Sequence, residues 1–253
     1  MIKFLACLCC LAVPLTSGLA QEEPVLPDQD HFLIFLLIGQ SNMAGRGKVE
    51  DQDRQAHPRV LTLSKDDAWI PAIDPIHFDK SKAGVGLGLT FGKTVAEALP
   101  GYHIGLVPCA VGGTSLTAWI DPNGKLLSEA YRRCKLAQGK GKLAGILWHQ
   151  GESGPTAAVY PAMFTSFAEQ LRKDLAGGKP VPLVIGTLSD GCPVAKTMNP
   201  MLLALAPTIP ATSCVDTAGL AGDLHFTNTS LRQMGQRYAA AWLTLAKPEA
   251  ATK

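Results

Sequence analysis

His31-Phe32-Leu33-Ile34-Phe35-Leu36-Leu37-Ile38, stopped by Gly39, is the stretch on which the fold turns. It has no polar–apolar alternation. A strand made from it must be covered on both faces, as in the interior of a parallel sheet. Further apolar runs lie at residues 104–107, 143–148 (LAGILW) and 181–188, with a weaker one at 212–215. Helical spacing fills the gaps between them. It covers residues 88–99, stopped by Pro100-Gly101; 126–138; 161–176, closed by Gly177-Gly178; and 229–246. Strands spaced by helices predict an α/β protein, with a parallel sheet of these five strands and helices on both faces. Residues 46–86 read as a long irregular connection of the kind that packs over a site. No repeat or break in composition divides the chain. A single domain is therefore expected over 31–247, after an extended leader at 21–30 that contains Pro24 and Pro27, and before a tail at 248–253.

Composition narrows the classes further. With 23 Lys+Arg against 21 Asp+Glu, the charge of +2 gives no reason to expect a nucleic-acid or anionic-membrane partner. At 47% hydrophobic and 17% charged residues, the chain is too apolar to be disordered. Lys3, the apolar run 4–15 and the small residues Gly18 and Ala20 read as a signal peptide over residues 1–20. The run falls short of the ~18 residues a spanning helix needs. Export to the periplasm or medium is expected, with an uncleaved N-terminal anchor as the alternative. Loss of the signal would leave Cys109, Cys134, Cys192 and Cys214. Cys192 and Cys214 flank one stretch and are the favoured disulfide pair; buried free thiols are the alternative. No Cys/His cluster has metal-ligand spacing, so no metal is expected.

In open α/β sheets, ligands bind beyond the carboxyl ends of the strands. Four such positions here carry chemistry. Gly39-Gln40-Ser41-Asn42-Met43-Ala44-Gly45 puts a serine on a tight turn out of the first strand, beside outward-pointing N–H groups. A helix-capping serine is the alternative. Pro108-Cys109-Ala110-Val111-Gly112-Gly113-Thr114-Ser115 has paired glycines that allow close backbone approach, but lacks the lysine and spacing of a nucleotide loop. His149-Gln150-Gly151-Glu152-Ser153 is either a site wall or a helix start. Asp223-Leu224-His225 precedes the last helix. A nucleophilic serine needs a base, and His225, with an acid close by, is the best placed; His149 is its rival.

Together these blocks resemble the SGNH/GDSL hydrolase superfamily. Within it they are most similar to the sialate O-acetylesterase-like enzymes and the family 6 carbohydrate (acetylxylan) esterases. The resemblance rests on Gly39-Gln40-Ser41-Asn42-Met43, on Gly112-Gly113-Thr114-Ser115 with Trp119, on Trp148-His149-Gln150-Gly151-Glu152-Ser153, and on His225-Phe226 ahead of Gly235 and Arg237-Tyr238. It implies a three-layer, flavodoxin-like α/β/α sandwich around a five-stranded parallel sheet. It implies Ser41 as nucleophile and His225 as general base. The oxyanion hole would come from the Ser41 N–H, the N–H of Gly113 or Gly112, and the Gln150 side chain. Asn42 would anchor the turn and Glu152 would order the site, with Gln40 and His149 as further supporting residues.

The family writes its acid three residues before the base, and that position here is Gly222. Asp223 is carried as the acid; a backbone carbonyl or Asp216 behind the ring, leaving a Ser–His dyad, is the alternative. The implied function is a secreted, cofactor-free serine esterase that removes O-acetyl groups from carbohydrate of acetylxylan or sialate type. The rivals are a lipid or thioester hydrolase of the same fold and a non-catalytic carbohydrate-binding relative. Trp69, Trp119 and Trp148 would either stack on sugar faces or pack in the core. Segment 46–86, with Trp69, would form the leaving-group side.

Overall fold

The structure is a computed structural model that describes residues 24–246. The expected signal peptide at 1–20 and tail at 248–253 lie outside the described residues. Among the described residues the strands in chain order are β1 (Phe32–Gly39), β2 (Val60–Leu63), β3 (Trp69–Pro71), β4 (His103–Pro108), β5 (Lys142–His149), β6 (Leu183–Gly186) and β7 (Thr212–Val215). The helices are α1 (Ser41–Ala44), α2 (Gly88–Ala98), α3 (Leu116–Ile120), α4 (Lys125–Gln138), α5 (Tyr160–Ala176), α6 (Ala195–Leu205) and α7 (Asn228–Ala246).

Every residue of β1 except Leu33 is buried, as its unbroken apolar run demands. Its residues alternate between two cores. Phe32, Ile34, Leu36 and Ile38 join the core under α4, α5 and α6, whereas Phe35 and Leu37 join the core under α2 and α7. The result is an α/β/α sandwich.

The sheet runs β3-β2-β4-β1-β5-β6-β7, all parallel except β3, which pairs antiparallel to β2. It has seven strands, two more than expected. Both extra strands come from segment 46–86, which is therefore not wholly irregular. β2 has four residues and β3 three, too short to show a period; β2 exists because it pairs with β4, and β3 because it pairs with β2. Arg59 fastens this edge by donating to the carbonyls of Ala96, Leu99 and Tyr102. The short α3 and the Pro200-containing α6 were also not legible. The turn leading to α6 is held by Asn199, whose side chain bonds both the N–H and the C=O of Leu188.

β4 and β5 flank β1 on opposite sides, so the winding reverses beside the end of β1. Gly39 lies opposite His149 in the register. That crevice is where a doubly wound sheet binds ligands.

One expectation fails here, and one open alternative is decided. All four cysteines among the described residues are free, so Cys192 and Cys214 are not a disulfide. Cys214 lies within β7 opposite Ile185, while Cys192 packs with Ala195 and Met198 in the core. Burial pushes the thiols of Cys109, Cys134 and Cys214 up to about 12, which leaves them protonated and unreactive at neutral pH. Nor are the tryptophans sugar platforms. Trp119 and Trp148 meet edge to face at 5.6 Å in the core, and Trp69 packs edge to face on Phe32 at 4.8 Å.

Candidate active site

The site begins where β1 stops. Gly39 has φ +126°, and a Cβ there would strike the His149 backbone, so only glycine makes this turn. The Gln40 N–H donates to His149 O at 2.9 Å, tying the turn to β5. The N–H groups of Met43 and Ala44 both donate to Gln40 O and close α1. Ser41 and Asn42 open that helical turn, where backbone N–H groups have no intrahelical acceptor. Among the described residues the Ser41 N–H donates to nothing.

His225 Nε2 lies 3.0 Å from Ser41 Oγ, across 184 positions of sequence. The loop that carries it is closed by Thr227 N–H donating to Ala221 O (3.0 Å) and by Ser189 Oγ donating to Gly222 O (2.7 Å). A Cβ on Gly222 would lie 2.6 Å from Phe226 Cα, so the position that carries the family acid has no room for a side chain here. No hydrogen bond among the described residues joins the Asp223 carboxylate to the His225 ring. The Asp216 carboxylate accepts from the Ala218 N–H. Burial, then Arg46 and Lys82, lower the His225 pKa below the ordinary histidine value.

Both residues line a cleft of about 280 Å³. Gly112 and Gly113 form one wall of it, and their backbone N–H groups are not equivalent. The Gly112 N–H donates to Asp79 Oδ2 at 2.8 Å, and Lys80 Nζ donates to Gly112 O at 2.7 Å. The Gly113 N–H donates to nothing among the described residues. Gln150 does not line the cleft. Its amide is buried, donating to Ser153 O at 2.6 Å and Thr114 O at 3.4 Å, and accepting from the Tyr160 hydroxyl.

Beneath the cleft lies a polar layer. Asn42 Nδ2 donates to Glu152 Oε1 at 2.7 Å, and Ser153 Oγ donates to Gln40 Oε1 at 3.2 Å. Burial raises the Glu152 pKa, against the opposing pull of Asn42 and Gln40. His149 is completely buried, with Nδ1 2.9 Å from the Tyr238 hydroxyl. Burial lowers its pKa to about 3, so it is neutral and lies below the cleft rather than in it.

Sequence reasoning missed Arg46, Asp79, Lys80 and Lys82, all from segment 46–86. Arg46 and Asp79 pair at 2.6 Å with both side chains buried. Burial alone would raise the Asp79 pKa, but Arg46 and the Gly112 N–H outweigh it and hold the carboxyl below its ordinary value. The exposed Lys80 and Lys82 line the cleft and leave it positive. The charged run Asp79-Lys80-Ser81-Lys82 was the only local signal. Among the described residues no group of three or more His, Cys, Asp or Glu could hold a metal ion. No helix among them is long and apolar enough to cross a membrane.

The sheet order and the crevice beside β1 define a doubly wound α/β/α fold whose ligand site lies at the end of β1, the architecture shared with carbohydrate esterases of SGNH type. Residues 31–244 match the family model described as carbohydrate esterase, sialic acid-specific acetylesterase, and the chain belongs to this family of carboxylic ester hydrolases. A probable carbohydrate esterase of Arabidopsis thaliana is 31% identical over 251 residues, covering 88% of this chain and 93% of the relative. The crystal structure of an Arabidopsis thaliana protein superimposes with a TM-score of 0.77 at 30% identity, covering 86% of this chain and 99% of its own. NanS shares the fold, with a TM-score of 0.71 at 18% identity, over 88% of this chain and 99% of NanS.

Proposed function

We propose that this protein is an exported esterase that removes O-acetyl groups from carbohydrate, with Ser41 as nucleophile and His225 as base. The 3.0 Å contact between Ser41 Oγ and His225 Nε2 carries the reading. Ser41 Oγ attacks the acetyl carbonyl while its proton passes to Nε2. The developing oxyanion is met by the uncommitted N–H groups of Ser41 and Gly113, each donor of this kind lowering the barrier by about 3 kcal/mol. The intermediate collapses, breaking the bond to the sugar oxygen, which takes the proton from Nε2. Water, deprotonated by the same nitrogen, then attacks the carbonyl of acetyl-Ser41; the bond to Oγ breaks, Oγ takes the proton back from Nε2, and acetate leaves. Every step runs on this chain's own groups.

With no carboxylate bonded to its ring, His225 works in this reading as one half of a dyad. Among the described residues Asp223 makes no hydrogen bond to the His225 ring. The cleft favours an acidic acetylated sugar over a neutral xylan, because Arg46, Lys80 and Lys82 line it against the single carboxyl of Glu152. Residues 1–20 act as the export signal, and residues 31–247 as one esterase domain.

Turnover of 4-nitrophenyl esters tests this. Ser41→Ala and His225→Ala should each lose about 1,000-fold or more in kcat. Asp223→Asn should cost far less than His225→Ala. Acetate esters should be preferred to long-chain esters, and acetylated acidic sugars to acetylxylan. Full turnover by Ser41→Ala would overturn the reading. A long-chain preference would favour a lipid or thioester hydrolase, and sugar binding without turnover a non-catalytic relative.

A further inference from the structure

A base that acts without a carboxylate behind it must be held by something else. We propose that Asn42 is the residue that positions His225, by clamping the main chain on both sides of it. This rests on the reading of Ser41 and His225 given above.

Asn42 directly follows Ser41 and is buried. Its Oδ1 accepts from the Phe226 N–H at 3.2 Å. Its Nδ2 donates to Leu224 O at 3.1 Å and to Glu152 Oε1 at 2.7 Å. One planar amide thus grips the residue before the base and the residue after it. Both amide hydrogens and one oxygen lone pair are committed. The loop ends are tied at Ala221–Thr227 and Ser189–Gly222, and the Phe226 side chain is buried in the core; among the described residues Asn42 supplies the side-chain hydrogen bonds to the main chain on either side of His225.

The arrangement sets base against nucleophile directly. Ser41 and Asn42 share one turn of α1, so the clamp and the hydroxyl move as a unit. With the backbone fixed at 224 and 226, only the two side-chain torsions of His225 remain, and Nε2 falls at hydrogen-bond distance from Oγ. Glu152 fixes the sense of the amide. Reversed, Asn42 Oδ1 would face Glu152 Oε1 and Leu224 O, and its amide hydrogens would face the Phe226 N–H. A triad carboxylate orients the ring from behind; here the orientation comes through the chain.

A double-mutant cycle on the full chain tests the assignment, with 4-nitrophenyl acetate as substrate and the melting temperature measured alongside. Asn42→Ala should lower kcat by about 100-fold with KM changed less than about threefold, the scale of a displaced reacting group. In the His225→Ala background the same substitution should cost less than about twofold, because the group it positions is gone. An equal loss in both backgrounds, or near-normal kcat in Asn42→Ala, would overturn the clamp. If Asn42→Ala does not fold, Asn42→Asp replaces it in the cycle. It keeps the shape and the acceptor for Phe226 but loses donation to both Leu224 O and Glu152 Oε1, and about a tenfold loss that vanishes without His225 is expected. Active Ser41→Ala would instead overturn the reading on which the clamp rests.

Discussion

In the proposed reaction His225 is the base, and what lies around it tunes it. Burial disfavours its imidazolium, and Arg46 and Lys82 push in the same direction. It is therefore neutral, and able to accept the Ser41 proton, in solutions more acidic than the ordinary histidine value of about 6.5 would allow. The acid limb of kcat/KM should fall below that pH. Lys82→Gln removes one of the two cations, makes protonation easier, and should move the limb to higher pH. A limb that stays in place, or shifts to lower pH, would refute the electrostatic account. Ser41 and His225 were legible because each is announced by its neighbours: glycine turns around the serine, a charged loop before a helix around the histidine. The commitments of Gln150, Gly112 and Asp223 were not. Whether an N–H is free depends on what packs against it, and Asp79 comes to Gly112 from 33 positions away.

Segment 46–86 holds two short strands and one wall of the cleft, and α7 pins it in place. Asn228 bonds the N–H and the C=O of Lys48, each at 2.8 Å. Arg232 donates to Asp53 at 2.9 and 2.7 Å and to Glu50 at 2.6 Å. The Asp53 side chain is only 5% exposed, so Arg232→Ala would leave a nearly buried carboxylate without its cation. A loss of about 2 kcal/mol in urea unfolding at pH 7 is expected. Unchanged stability would show that the pair contributes nothing. The long strands and helices were legible because burial on one or both faces imprints a period or a run. β2, β3 and α3 carry too few residues to imprint either; β2 forms on β4, β3 on β2, and α3 packs against α4 and α5.

The whole molecule should be most stable near pH 6.5. His77 and His149 are buried and pushed down to about 4 and about 3, so both are neutral when folded. Below pH 6.5 the unfolded chain binds two protons that the folded one refuses, and stability falls as pH drops. Asp74 acts in the opposite sense. Burial, with Asp53 nearby, raises its pKa to about 8, so it is protonated when folded and ionised when unfolded. It offsets one of the two histidine protons on the acid side. Once the histidines are neutral in both states, above about pH 7.5, Asp74 acts almost alone, and stability falls as pH rises toward 8. Urea midpoints between pH 4.5 and 8 should trace this dome, and Asp74→Asn should flatten its alkaline side. A midpoint rising steadily from 6.5 to 8 would contradict the assignment.

The five apolar strands, the helices α2, α4, α5 and α7 between and after them, the parallel sheet, and the serine and histidine at its rim were written locally. A run apolar on both faces needs a covered strand, and a turn without room for a side chain needs glycine. Pairing, partners and protonation were decided only by the folded chain. A tryptophan packs in the core or meets solvent, a thiol pairs or stays free, and an imidazole is held by a carboxylate or by a neighbouring amide, according to groups far away in sequence. Hydrogen bonds and desolvation act over a few ångströms of space, and only the tertiary structure specifies which groups come that close.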